Sequence, residues 1–75
     1  MYNLYVLDSC PYCKKVLEYF DENDIAYNKF DVSKEEYYDE LIELGGKSQV
    51  PFLVDKGTDV KLYESDDIIH YVKNK

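Results

Sequence analysis

Apolar residues along this chain fall into two rhythms, short continuous runs and stripes at helical spacing. Asn3-Leu4-Tyr5-Val6-Leu7 reads as a buried strand, with Asp8-Ser9 as its exit. Cys13, Val16, Leu17 and Phe20 then recur at helical spacing, with Lys14, Lys15, Glu18, Asp21 and Glu22 facing outward. That spacing predicts an amphipathic helix ending near Asn23. Tyr27 to Val32 returns to strand character. Ser33 and Glu36 stand in capping-box spacing, which predicts a second helix with Ser33 as N-cap. This helix buries Leu41, with Tyr37, Tyr38 and Leu44 as further candidates, and stops at Gly45-Gly46. Phe52 to Asp55 and Val60 to Tyr63 flank Lys56-Gly57-Thr58-Asp59 as a hairpin. Ser65 is expected to cap a last helix, with Asp66 and Asp67 complementing its dipole and Ile68, Ile69 and Val72 buried. The order is β-α-β-α-β-β-α. Its first β-α-β unit implies a parallel pair with a right-handed crossover, and the hairpin adds antiparallel strands. The pattern alone leaves the strand order open.

Composition narrows the class. Seventy-five residues predict one domain, 1–75, near the lower limit for a self-sufficient core. A hydrophobic share of 45% beside 33% charged residues fits a compact soluble protein rather than a disordered one; the element order makes it α/β. No apolar run approaches the ~20 residues that span a bilayer, and Met1-Tyr2-Asn3-Leu4 has no signal-type pattern. The expected setting is a reducing cytoplasm, and the expected state a monomer without membrane contact. Nine lysines, no arginine and a net charge of −7 argue against nucleic-acid binding, which needs a basic patch. A small anion can still be held by backbone N–H groups with local help from lysine.

Both cysteines lie in Cys10-Pro11-Tyr12-Cys13, between the first strand and the first helix. A Cys-x-x-Cys pair at such a junction is a candidate thiol–disulfide exchange site. The first sulfur falls at a helix N-terminus, where unpaired N–H groups and the dipole favour a thiolate. The second, one turn inside, is placed to resolve a mixed disulfide. Pro11 suits the first helical turn because it has no N–H to lose there. Two plainer readings compete. Half of a zinc site is one, but a structural zinc takes four ligands, and His70 is the chain's sole histidine. The other is a structural disulfide, which would close a very short loop and constrain little of the unfolded chain.

Three landmarks coincide with this pair: Val50-Pro51 opens the third strand, Glu64-Ser65-Asp66-Asp67 opens the last helix, and the tetrapeptide follows the first strand. Together they resemble a dithiol glutaredoxin over essentially the whole chain. The run from Glu64 to Val72 is also similar to the amino-terminal domain of glutathione transferases. The resemblance implies a thioredoxin fold with a four-stranded mixed sheet in the order 2-1-3-4. It implies Cys10 as nucleophile, Cys13 as resolving thiol and Pro51 as a cis-proline facing them; read by itself, Pro51 could equally be an ordinary strand-opening proline. It implies glutathione as co-substrate. Val50 would pair with its cysteinyl part, Ser65 and Asp66 would receive its γ-glutamyl carboxylate, and Asp66 or Asp67 would answer its ammonium. Lys47 would meet the glycyl carboxylate, with Gln49 and Lys14 as secondary candidates, and Tyr12 would line the site. No metal is expected.

The implied activity is glutathione-dependent reduction of glutathionylated and disulfide-containing proteins. A thioredoxin-like reductant served by a flavoprotein reductase is one rival; an iron–sulfur or metal carrier built from two chains is the other. One departure from the family stands out. Glutaredoxins often carry a cation three residues before the nucleophile, where this chain has Leu7 followed by Asp8. A carboxylate there opposes the thiolate.

Overall fold

The structure, a computed structural model, describes residues 2–74. Its elements follow the expected order: β1 (Tyr2–Val6), α1 (Pro11–Glu22), β2 (Tyr27–Asp31), α2 (Glu35–Gly45), β3 (Phe52–Asp55), β4 (Val60–Leu62) and α3 (Ser65–Lys73). The sheet runs β2-β1-β3-β4. β1 pairs parallel with β2 and antiparallel with β3, and β4 pairs antiparallel with β3. This is the mixed sheet of the thioredoxin fold.

Alternation along the central strands sends side chains to two cores. Leu4 and Val6 of β1, with Leu53 of β3, pack against Val16 and Phe20 of α1 and Ile68 and Val72 of α3. Tyr5, Phe52 and Val54 face the other way, toward Leu41 of α2. Two helices therefore cover one face and a single helix covers the other. The two-helix side is the better filled, and it anchors the elements that carry the cysteines and the Ser65 turn.

Helix boundaries differ from expectation at two caps. Ser33 does not cap α2: its N–H donates to Asp31 Oδ1 at 2.9 Å, and Lys34 occupies the N-cap without a side-chain bond. Asp31, at the end of β2, closes the turn first and uses the donor that a capping box would need free. Ser65 is likewise not the cap but the first residue of α3. Glu64 holds the cap position, with φ −54° and ψ 136°, and no side chain caps the helix. On α2 only Leu41 is buried; Tyr38 and Leu44 stay exposed, and Tyr37 is half-buried.

Candidate active site

Cys10 is the N-cap of α1, where extended backbone (φ −86°, ψ 120°) turns into the helix at Pro11. Its N–H donates to the Leu7 carbonyl at 2.9 Å, and its own carbonyl accepts from Lys14 N–H at 3.0 Å. Its side chain makes no cap hydrogen bond, so the sulfur stands at the helix end beside unsatisfied donors.

Cys13 is fully buried, and Leu7 N–H donates to its sulfur at 3.4 Å. Burial pushes the Cys13 thiol up to about 12; the Leu7 amide pulls the other way, while the neighbouring Cys10 sulfur and the Asp8 charge add to the rise. Both cysteines are free thiols. The pair is thus asymmetric, one half-buried sulfur at a helix end and one held protonated beneath it.

Asp8 is not left unpartnered beside them. Lys29 of β2 reaches its carboxylate at 2.9 Å, and that bond holds the Lys29 ammonium above its ordinary range. The carboxylate two residues before Cys10 is thus met by a cation from the neighbouring strand.

A groove of about 610 Å³ is lined by Tyr12, Gln49, Val50, Pro51, Glu64, Ser65, Asp66 and Asp67. It gathers Tyr12, the Val50-Pro51 loop and the start of α3, three segments far apart in sequence. The Val50-Pro51 bond is cis. Tyr12 stands 65% exposed, whereas Ser65 is buried at the base of α3. Gln49 Nε2 donates to Glu64 Oε1 at 2.9 Å, which ties the proline loop to the α3 turn. Lys15 of α1 holds Asp66 at 2.6 Å, leaving Asp67 as the other acidic side chain of the turn.

Lys47 is outside this lining. Its ammonium lies 5.6 Å from the centre of the Tyr63 ring, and its backbone N–H donates to the Tyr63 hydroxyl at 3.1 Å. Lys14 is exposed on α1 and does not line the groove either. His70 is exposed near the end of α3, and its carbonyl accepts from Asn74. Among the described residues no group of His, Cys, Asp and Glu side chains is arranged to hold a metal ion. The roles of Lys29, Tyr63 and the Gln49–Glu64 bond lie outside the sequence reading. Each depends on a tertiary contact with no local signature.

Comparison with known proteins agrees with this architecture. Residues 4–75 match the family described as Glutathione S-transferase, N-terminal domain. Over 51 residues the chain is 41% identical to Glutaredoxin 1 of Rickettsia conorii, a match spanning 64% of this chain and 50% of that protein. The chain therefore spans about half the length of the curated relatives it matches. Glutaredoxin 2 of Salmonella typhimurium, solved in complex with glutathione, superposes with a TM-score of 0.83 at 30% identity, covering 99% of this chain and 33% of that one. Human glutathione-S-transferase T1-1, in its apo form, gives a TM-score of 0.84 at 25% identity, covering 99% and 31%. The match over nearly all of the chain, with the sheet order and the placement of the cysteine pair, makes it a member of the glutathione S-transferase N-terminal domain family, in its glutaredoxin-like form.

Proposed function

We propose that this chain is a glutathione-dependent thiol–disulfide oxidoreductase of the dithiol glutaredoxin type. The observation that carries this reading is the groove in which Tyr12, from within the cysteine tetrapeptide at the start of α1, meets the Val50-Pro51 loop and the start of α3.

In the proposed reaction the Cys10 thiolate attacks the glutathionyl sulfur of a protein–glutathione disulfide. A Cys10–glutathione disulfide forms, and the protein sulfur leaves as a thiolate that takes up a proton. A second glutathione then attacks the glutathionyl sulfur, giving glutathione disulfide and regenerating Cys10. Alternatively Cys13 loses its proton, attacks the Cys10 sulfur and releases glutathione, and two further glutathiones reduce the internal disulfide. Burial of Cys13 slows that second route, because its thiol must ionise in an apolar setting. The Cys10 contribution to that resistance disappears once Cys10 is in a disulfide.

The backbone N–H groups of Ser65 and Asp66 would hold the γ-glutamyl carboxylate. Asp67 would take the ammonium, since Asp66 already faces Lys15. The backbone of Val50 would pair with the cysteinyl part. Lys47 would turn from the Tyr63 ring to the glycyl carboxylate, with Gln49 the alternative donor on the groove wall. The physiological partners are then glutathionylated or disulfide-bearing proteins.

The test is reduction of a glutathionylated peptide by glutathione, coupled to glutathione reductase. Turnover is expected in the wild type and its loss in Cys10→Ser. Turnover that persists in Cys10→Ser, or needs thioredoxin reductase in place of glutathione, would overturn the reading.

A further inference from the structure

Tyr63 joins two parts of the fold that carry opposite walls of the groove. It stands between β4 and the Glu64 turn, so its backbone leads directly into the start of α3. Its side chain runs to the segment that leads into the other wall. The hydroxyl donates to the Lys47 carbonyl at 3.2 Å and accepts from Lys47 N–H at 3.1 Å. One phenol thereby satisfies both backbone polar groups of one residue, three positions before Val50. The ring lies 4.6 Å, centre to centre, from Phe52, which follows Pro51 and is fully buried.

Two glycines make this contact feasible. A Cβ at Gly45 would overlap the Tyr63 hydroxyl and come within 2.7 Å of its Cζ. Gly46, at φ 80°, ends α2 in the left-handed conformation that directs the chain back toward the sheet. The segment from Gly45 to Val50 has few other ties: Tyr38 bonds Ser48 from the α2 side, and Gln49 bonds Glu64 from the groove side.

We propose that Tyr63 is a positioning residue for the groove, its hydroxyl fixing the Gly45–Val50 segment against the α3 turn so that Val50 and Ser65 hold a set separation. This rests on the glutathione reading above. The hydroxyl touches no reacting atom, so it acts through the placement of Val50 and Lys47. Loss of the hydroxyl frees the loop while keeping the ring, the Phe52 contact and the Lys47 cation–π pair. Binding of the glutathionyl group should therefore weaken, and the chemistry at Cys10 should not.

The experiment compares wild type, Tyr63→Phe, Gly45→Ala and Tyr5→Phe. Tyr5 serves as control because it packs in the same cluster as Tyr63, yet its hydroxyl bonds Glu40 of α2 rather than the Gly45–Val50 segment. For Tyr63→Phe, KM for a glutathionylated peptide is expected to rise about threefold to tenfold, the size of one lost hydrogen-bonding group. The Kd for S-methylglutathione should rise in parallel, with kcat and the Cys10 alkylation rate unchanged and faster hydrogen exchange at the Lys47 amide. Gly45→Ala, which displaces the hydroxyl, should repeat the KM effect, and Tyr5→Phe should not. An unchanged KM and Kd in Tyr63→Phe, or an equal rise in Tyr5→Phe, overturns the proposal. Wild type that binds S-methylglutathione without turnover refutes the proposed activity, and the Kd comparison then decides the role of Tyr63. Wild type that neither binds nor turns over refutes both.

Discussion

Lys29 Nζ lies 2.9 Å from the Asp8 carboxylate, so the acidic residue of the Cys10 turn is paired with a side chain of the strand next to β1. The Asp8 charge reaches the cysteine pair at Cys13, and opposing effects of the two side chains are expected at Cys10 as well. Lys29→Met should slow alkylation of Cys10 at pH 7 about twofold, and Asp8→Asn should speed it by a similar factor, both effects shrinking in high salt. The double variant should return close to wild type, as a double-mutant cycle requires for opposing charges at one site. Iodoacetamide kinetics on the four proteins measure this directly.

Cys13→Ser should keep glutathione-dependent deglutathionylation and lose most dithiol-dependent reduction of protein disulfides. The reason is positional: Cys13 is fully buried, so in the proposed reaction it would meet only what Cys10 has captured. Parallel assays with a glutathionylated peptide and a disulfide-bonded protein separate the two activities.

The buried thiol also links stability to pH. In the folded, reduced chain Cys13 keeps its proton up to about 12, whereas an unfolded cysteine ionises near 8.5. The native state then binds more protons than the unfolded state, and stability falls as pH rises through that window. Tyr5, pushed up to about 12 by burial and the Glu40 carboxylate, adds the same sign above the ordinary tyrosine range. Urea unfolding between pH 8 and 11 should show a decline of up to about 1.4 kcal/mol per pH unit per group. Cys13→Ala should flatten its early part, and Tyr5→Phe the later part.

Ile68 fixes α3 to the two-helix core and is fully buried. Ile68→Ala should cost about 2–5 kcal/mol by chemical denaturation, a large share of the stability of so short a chain. Ile68→Val should cost about 0.5–1.5 kcal/mol.

Lys15 competes for Asp66 from the surface of α1. If glutathione's ammonium is received at this turn, Lys15→Met should lower KM for a glutathionylated peptide about twofold at low salt, with little change in melting temperature, as exposed ion pairs contribute little. A KM that rises would show that Lys15 itself meets the ligand.

The element order and the chemistry-bearing tetrapeptide were legible because both are local in sequence, whereas the split into two cores needed the sheet itself. Leu4, Val16, Phe20 and Ile68 announce their burial by spacing alone. The order of the strands came from resemblance, since no residue pattern distinguishes 2-1-3-4 from its alternatives. The Ser33 cap failed for a definable reason: Asp31 and Glu36 both offered to close the same turn, and propensity could not rank them. Lys29 and Tyr63 escaped notice because an exposed lysine in a strand and one tyrosine among nine carry no mark of their distant partners.

The sheet ends in two open strands, β2 and β4, and each bears one lysine, Lys29 and Lys61. An unpaired strand margin invites another chain to add to it, and a lysine there is a common deterrent to such addition. Lys29, paired with Asp8, is then expected to guard this margin as well. Removing its charge should leave the β2 margin more open to self-association.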